Sequence, residues 1–210
     1  MITKRTIIIS ESINPVENLA TEYRLLHEVG EDELILFLWQ NDKTVVIGRN
    51  QDMMAEVNLD ALQEIGGQCV RRKSGGGAVY HDMGNLNFTF LAKRHNYDEQ
   101  RQTQIVLDAI CSLGFCAIKN GRNDLTINGR KFSGHSYYKE RDACFHNGTI
   151  LVSTDFSILA KVLTPSKEKL ASHGIKSVRS RVVNLQTLNA DVTIESVKRA
   201  LTETFQQFKL

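Results

Sequence analysis

The most informative stretch of this chain is Arg71-Arg72-Lys73-Ser74-Gly75-Gly76-Gly77-Ala78-Val79-Tyr80-His81-Asp82. Three basic residues lead into three consecutive glycines, and residues 68–73 and 86–92 on either side have the composition of β-strands. Three glycines can point successive backbone N–H groups into one concavity without an obstructing Cβ, and peptide dipoles arranged in this way bind phosphate or carboxylate oxygens. Ser74 would add a hydroxyl donor and Arg72 a forked cation. The stretch therefore predicts an anion-binding loop.

A flexible hairpin loop with solvated cations is the alternative for a glycine run taken alone. The adjoining basic residues favour the anion-binding interpretation. The loop is neither a Walker motif nor a dinucleotide fingerprint, because neither G-x-x-x-x-G-K-[ST] nor G-x-G-x-x-G opening a helix occurs here. A bound nucleotide would be held by a different architecture.

Strand and helix patterns alternate irregularly on both sides of this loop. Helical spacing of apolar residues predicts helices after Asn14, at 59–65 before Gly66-Gly67, at 103–113 before Gly114, and at the C-terminus through Ile194, Val197, Leu201, Phe205 and Phe208. Further strands are predicted at 5–10, 33–40, 44–48, 116–118, 125–127, 130–138 and 145–153, with residues 41–43 as a hairpin loop. This order favours an α+β fold whose mixed, largely antiparallel sheet is flanked by helices.

Composition limits the classes of function. With 210 residues, 41% of them hydrophobic, the chain can form one domain over residues 1–210. The formal net charge is +2, so neither nucleic acid nor an anionic membrane is expected as the main partner. The chain lacks a signal-peptide pattern or a membrane-length apolar run, and its four cysteines have no zinc-type spacing, so we expect a cytoplasmic protein with reduced thiols.

A second group of polar residues surrounds Asn128-Gly129, a strong signal for a two-residue hairpin. The hairpin predicts that Asp124 and Lys131 lie on adjoining strands, close enough to serve one site. A lysine ammonium can stabilise both a phosphate oxygen and an acyl oxygen that becomes tetrahedral. An exposed strand lysine is the alternative, and it is the commoner situation.

Other residues allow two interpretations. His81 and His146 could act in acid-base chemistry or be hydrogen-bonded structural histidines, and no spacing supports a metal. Cys144 could be an acyl-accepting nucleophile beside His146, but nothing in the sequence supports the pairing. Trp39 ends an apolar run that is mainly core strand, yet it could also wall an apolar slot for an acyl chain.

Taken together, these motifs resemble those of the lipoate-protein ligases over nearly the whole chain. The matching segments are Asn18-Leu19-Ala20 with Glu22, residues 36–39, 45–49, 71–72, 74–82, Gly84-Asn85, 121–124, Lys131, Ser133-Gly134 and 177–182. The resemblance implies a biotin/lipoate ligase-like catalytic domain. It also implies ATP-dependent activation of lipoate to lipoyl-AMP, with Mg²⁺, followed by transfer to a lysine of a lipoyl domain of a 2-oxoacid dehydrogenase complex or of the glycine-cleavage H protein.

The resemblance also assigns residues. It implies adenylate binding at Arg72, Ser74, Gly75, Gly76, Gly77, Ala78, Val79, Tyr80, Asn123, Asp124 and Lys131. It implies lipoate binding at Trp39, Arg72, His81, Lys131 and Gly134, with Lys131 catalytic and Asp124 as a metal ligand.

Two features depart from the resemblance. Asn147 follows His146 where the family often has a second histidine, and the chain stops where many relatives continue into a smaller C-terminal accessory domain. We therefore expect a catalytic domain alone, and a separate accessory subunit is an alternative. Two other functions stay open: a lipoyl or octanoyl transferase that needs no ATP, and a non-catalytic module that binds lipoyl-AMP or lipoyl domains.

Overall fold

The computed structural model describes residues 1–164 and 181–209. Seven strands of this part form one large sheet: β1 (Lys4–Ile9), β2 (Glu33–Trp39), β6 (Asn85–Lys93), β7 (Ala117–Asn120), β8 (Asp124–Ile127), β9 (Arg130–Glu140) and β10 (Ala143–Leu151). Their order is β1-β2-β6-β10-β9-β8-β7. Only β1 and β2 pair in parallel, and every other pair is antiparallel. The predicted mixed, largely antiparallel sheet is confirmed.

A second, small sheet contains the three strands β3 (Thr44–Ile47), β4 (Gln68–Arg71) and β5 (Val79–His81), in the order β4-β3-β5. The expected hairpin across residues 41–43 is therefore wrong, because β2 and β3 belong to different sheets. The polar residues of the connection are used otherwise: the Asn41 side chain is fully buried and hydrogen-bonded to Asn18 and His81. This link carries the chain from one sheet to the other.

The helices of the described residues are α1 (Pro15–Glu28), α2 (Met53–Glu56), α3 (Leu59–Glu64), α4 (Glu99–Ser112), α5 (Phe156–Val162), α6 (Leu185–Leu188) and α7 (Ile194–Gln207). Side-chain caps explain where the long ones start: Asn14 accepts from Val16, Asp98 from Gln100 and Arg101, and Thr193 from Ser196. Asp98 starts α4 four residues before the predicted position. Of the predicted motif at 177–182, residues 177–180 lie outside the described residues.

The large sheet separates two cores, and β2 shows how. All seven of its residues are buried, and successive side chains of a strand point to opposite faces. Leu34, Leu36 and Leu38 belong to the core under α4 and α7, whereas Ile35, Phe37 and Trp39 pack with α1. We call the first the core face and the second the cavity face. No helix within residues 1–164 and 181–209 is long and apolar enough to cross a membrane.

Candidate functional site

A cavity of about 220 Å³ is lined by residues of both sheets. The large sheet contributes its cavity face, and the small sheet contributes Val46, Val79 and His81. Leu19 of α1 and the glycine-rich connection between β4 and β5 complete the wall. The predicted residues that line it are Trp39, Arg72, Gly76, Gly77, Ala78, Val79, His81, Asn123, Asp124, Lys131 and Gly134.

Five of the lining residues form one row across the large sheet. Trp39 pairs with Asn87, Asn87 with Thr149, Thr149 with Gly134, and Gly134 with Asp124. Residues directly opposite each other on neighbouring strands project to the same face. With strands roughly 4.8 Å apart, the row extends about 19 Å from Asp124 to Trp39.

At one end of this row Lys131 forms an ion pair with Asp124. The two charged atoms, Lys131 Nζ and Asp124 Oδ1, are 2.8 Å apart, with side chains 36% and 43% exposed. The Asn128-Gly129 turn between β8 and β9 has the positive φ angles, 52° and 74°, of a tight hairpin turn. The predicted proximity of Asp124 and Lys131 is therefore present in the structure, and both residues line the cavity.

The glycine-rich loop is held by Arg72, which is only 9% exposed. Its guanidinium donates to the backbone oxygens of Val46 (3.1 Å), Gly75 (2.7 Å) and Gly77 (2.8 Å). Burial lowers the pKa of Arg72 to about 10, so it stays a cation near neutral pH. The loop turns its carbonyl oxygens towards Arg72. The backbone N–H groups of Gly75, Gly76 and Gly77 have no hydrogen-bond partners among the described residues.

Arg72 thus has a role that the sequence did not indicate. Three of its hydrogen bonds fix the loop, and two of the five N–H donors of a guanidinium remain for a ligand. Gly76 has φ of +91°, a backbone conformation that favours glycine. Unpaired N–H groups beside a buried cation are the elements of an anion site.

Three other predicted residues contribute differently. Tyr80 points away from the cavity into the small-sheet core with Val45 and Ile47, because it alternates with Val79 and His81. Gly75 is exposed and binds Arg72 through its carbonyl oxygen. Ser74 is fully buried behind the wall. Direct ligand contacts by these three stay predictions.

Ser74 begins a chain of hydrogen bonds that reaches Trp39. Ser74 Oγ lies 2.8 Å from Ser136 Oγ, and Ser136 donates to Asn147 Oδ1 (2.5 Å). Asn147 Nδ2 and Thr89 Oγ1 both donate to Glu22 Oε1, at 2.9 and 2.7 Å. Trp39 Nε1 donates to Thr89 Oγ1 at 3.1 Å. These hydrogen bonds connect the glycine-rich loop to Trp39, at the far end of the row.

Glu22 lies at the centre of this series of hydrogen bonds. It lies on α1, is 2% exposed, and its pKa is raised, chiefly by burial and in spite of the bonds from Thr89 and Asn147. The sequence analysis quoted Leu19 and Glu22 without giving either one a role, and it missed Asn87, Ser136 and Thr149. The signal for these three strand residues was period-two alternation, which cannot be used until the strand register is known.

His81 has a tautomer that its neighbours determine. Asn18 Nδ2 donates to two backbone oxygens and to Asn41 Oδ1, which leaves Asn41 Nδ2 to donate to His81 Nδ1 (3.2 Å). Burial lowers the pKa of His81 to about 3, so the neutral ring carries its proton on Nε2. That Nε2 is buried without a partner among the described residues. His81 therefore lines the cavity with a neutral ring that has one unpaired nitrogen.

The other chemical candidates lie on the core face. His146 bonds His135 (2.9 Å) and Gln102 (3.2 Å) beneath α4 and does not line the cavity. Cys144 is fully buried, and burial raises the pKa of its thiol. The residues described, 1–164 and 181–209, contain no group of three His, Cys, Asp or Glu side chains suited to a metal ion. Asp124 is the only carboxylate lining the cavity in this part of the chain.

Comparison with known proteins identifies the family. The model of the lipoyl protein ligase A/B catalytic domain matches residues 14–206. The chain belongs to this family. It is 40% identical to lipoate-protein ligase A of Bdellovibrio bacteriovorus over 209 residues, which are 98% of this chain and 62% of that protein.

Solved structures of lipoate-protein ligases share the fold. P. falciparum LipL1 in complex with lipoate is 36% identical with a TM-score of 0.85, covering 97% of this chain and 62% of that one. The bipartite ligase of Thermoplasma acidophilum, studied with its E2 lipoyl domain, is 30% identical with a TM-score of 0.87, covering 99% and 84%. A lipoate-protein ligase A bound with ATP is 27% identical with a TM-score of 0.84, covering 99% and 85%.

The chain thus spans 62% of the length of both the Bdellovibrio relative and LipL1. The match includes the whole cavity, since its lining residues run from Leu19 to Thr149. The predicted ligase-like fold is confirmed.

Proposed function

We propose that this chain activates lipoate with ATP to lipoyl-AMP and transfers the lipoyl group to a lysine of a carrier domain. The observation that carries the proposal is the single cavity in which Gly76, Gly77, Arg72 and Lys131 meet. An acyl-phosphate anhydride needs backbone donors and a cation at one point, because negative charge develops first on phosphorus and then on the acyl oxygen. The family and its lipoate-bound and ATP-bound members support this assignment.

The row across the large sheet gives the acyl chain its direction. The carboxyl group would lie beside Lys131 and Asp124, and the hydrocarbon chain would run towards Trp39. The distal wall combines apolar groups with the His81 Nε2–H, which has no acceptor among the described residues.

In the first step, the carboxylate of lipoate attacks the α-phosphorus of ATP, and pyrophosphate leaves. The N–H groups of the glycine-rich loop and the Lys131 ammonium stabilise the added charge. In the second step, the neutral amine of the carrier lysine attacks the acyl carbon, the proton goes to solvent, and AMP leaves. Lys131 then stabilises the tetrahedral oxygen.

Magnesium fits this site in a limited way. One carboxylate together with nucleotide phosphates is a common set of Mg²⁺ ligands, and Asp124 could supply that carboxylate after releasing Lys131. Bound Mg²⁺ would neutralise phosphate charge. At about 220 Å³, the cavity is smaller than ligand pockets of roughly 300–1,000 Å³, so we expect the glycine-rich loop to open for lipoyl-AMP.

The partners follow from the proposed reaction. We propose lipoyl domains of 2-oxoacid dehydrogenase complexes and the glycine-cleavage H protein as carriers, and a cytoplasmic reaction, where ATP is available. The Thermoplasma relative, described as bipartite and studied with an E2 lipoyl domain, makes a separate accessory subunit a second component to test.

One experiment tests the function. The purified chain is incubated with lipoate, ATP, Mg²⁺ and a lipoyl domain, and mass spectrometry follows lipoyl-AMP and the carrier. We expect lipoyl-AMP first and then a carrier heavier by one lipoyl group. A parallel reaction starts from synthetic lipoyl-AMP without ATP. Transfer only in the second reaction would limit the chain to the transfer step, and transfer in neither would contradict the proposal.

A further inference from the structure

Lys131 reaches the cavity because β9 contains a β-bulge. Asp124 pairs with Gly134 and Leu125 with Ser133, but Thr126 pairs with Lys131, so Phe132 is an extra residue on β9. In a regular strand, residues three positions apart point to opposite faces. The extra residue restores Lys131 to the face of Gly134 and Asp124, and bulges are known to redirect side chains in this way. Phe132 is fully buried in the core on the other face.

From its place beside Thr126, the Lys131 side chain must cross Gly134 to reach Asp124, which lies directly opposite Gly134. A Cβ added at position 134 would lie 2.8 Å from both Lys131 Cε and Nζ. The next nearest atom, Thr149 Oγ1, is 3.9 Å away. The end of the lysine therefore occupies the volume in which a side chain at position 134 would lie.

We propose that Gly134 is a positioning residue that acts through Lys131. The absent side chain is the space in which the ammonium lies, and any larger residue displaces the ammonium from Asp124 and from the reacting acyl phosphate. This inference rests on the proposed function, in which Lys131 binds the acyl-adenylate. It gives Gly134 a role different from direct contact with lipoate.

Gly134→Ala is a gentle test, because the only close contact of the new methyl group is the flexible end of Lys131. We expect an unchanged melting temperature and a kcat for lipoyl transfer lowered about 10- to 100-fold, as small misplacements of catalytic groups do. Gly30→Ala is the matched control, since its Cβ meets only the Glu33 side chain, at 3.2 Å. It should have full activity.

A double-mutant cycle separates positioning from ligand contact. Dissociation constants for a non-hydrolysable sulfamate analogue of lipoyl-AMP are measured for the original chain, Gly134→Ala, Lys131→Ala and the double variant. If Gly134 acts through Lys131, Gly134→Ala weakens binding in the original chain but causes no further loss in the Lys131→Ala background. An equal loss in both backgrounds would show that position 134 contacts the ligand itself and would overturn the inference.

Two further results would overturn it: normal kcat for Gly134→Ala, or a large fall in its melting temperature. Failure of the proposed function has a different signature. In that case the original chain itself would neither bind the analogue nor transfer the lipoyl group, whatever the behaviour of Gly134→Ala.

Discussion

His146 and Asn147 are neighbours on β10, and their side chains serve opposite faces of the large sheet. The His146 ring lies on the core face, between His135 and Gln102. The Asn147 amide lies on the cavity face, between Ser136 and Glu22. Both side chains are buried, at 0% and 6% exposure. The two side chains are therefore alike in polarity and in burial. They differ in the face of the sheet to which the alternation along β10 directs each one.

The buried histidines on the two sides of the large sheet differ in how many of their ring nitrogens have hydrogen-bond partners. On the core face, His135 bonds Ser133 and His146, and His146 bonds Gln102, so both nitrogens of each ring have partners. Burial lowers the pKa of His135 to about 3 and that of His146 well below its usual value. His81, in the cavity wall, has partners on one nitrogen only. The rings of His135 and His146 are therefore hydrogen-bonded at both nitrogens, whereas Nε2 of His81 has no partner among the described residues.

The largest effect should come from the cavity face, at Lys131. We expect Lys131→Ala to lower lipoyl transfer about 10²- to 10³-fold, the usual cost of removing one donor to a developing oxyanion. The fold should persist, because the side chain is 36% exposed and its partner Asp124 is 43% exposed. Rates from lipoyl-AMP and thermal unfolding measure the two effects.

Lys93→Ala is the control for this variant. Lys93 is also a strand lysine and bonds Asp142 at 2.7 Å, but neither residue lines the cavity. The Lys93→Ala variant should transfer the lipoyl group at the same rate as the original chain. Equal activity losses in Lys93→Ala and Lys131→Ala would mean that losing a strand ion pair, and not the site, causes the defect.

The core face should show a stability effect without a catalytic one. His146→Ala leaves a donor of His135 and an acceptor of Gln102 unpaired, at about 1–3 kcal/mol for each buried group. We expect the free energy of unfolding to fall by roughly 2–6 kcal/mol in urea denaturation. The folded variant should keep kcat within about threefold, since small effects are normal for residues that do not contact reacting groups.

Asn147→Ala, one residue along the strand, should lower activity as well as stability. Its amide lines the cavity and bonds Glu22, so we expect kcat/KM for lipoate to fall by about tenfold, the upper end of the effect of one hydrogen bond that contributes about 0.5–1.5 kcal/mol. If His146→Ala lost activity at unchanged stability, the division of roles between the two faces would be refuted.

The sequence was sufficient where the signal is local. The Asn128-Gly129 turn placed Asp124 beside Lys131, and caps such as Asn14 marked helix starts. The sequence was insufficient where the register between strands decides which face a side chain occupies. Counting along β9 without the bulge at Phe132 would place Lys131 on the wrong face, and no local pattern in the sequence announces an extra residue in a strand.

The prediction of a hairpin between β2 and β3 was wrong for a related reason. Residues 41–43 have the composition of a hairpin loop, but tertiary contacts decide whether the strands on either side pair. Here Asn18 and His81 bind Asn41, and β3 pairs with β4 and β5 instead. Tyr80 shows the same limit. It belongs to the glycine-rich motif, but the alternation of side chains along β5 places it in the core of the small sheet. The motifs predicted many of the residues that line the cavity, but only the fold shows which side chains face it.

The smallest effect should come from Ser136, which links the glycine-rich loop to Asn147. Ser136→Ala removes the bonds to Ser74 and Asn147, at 2.8 and 2.5 Å, and leaves Arg72, Lys131 and the glycine-rich loop in place. A neutral hydrogen bond contributes about 0.5–1.5 kcal/mol, so we expect kcat/KM for lipoyl-AMP to fall roughly three- to tenfold. Ser112→Ala, whose hydroxyl bonds a backbone oxygen of α4, should change nothing. If Ser136→Ala matched that control, the chain from Ser74 to Trp39 would be packing alone, and the cavity face would work without coupling between its two ends.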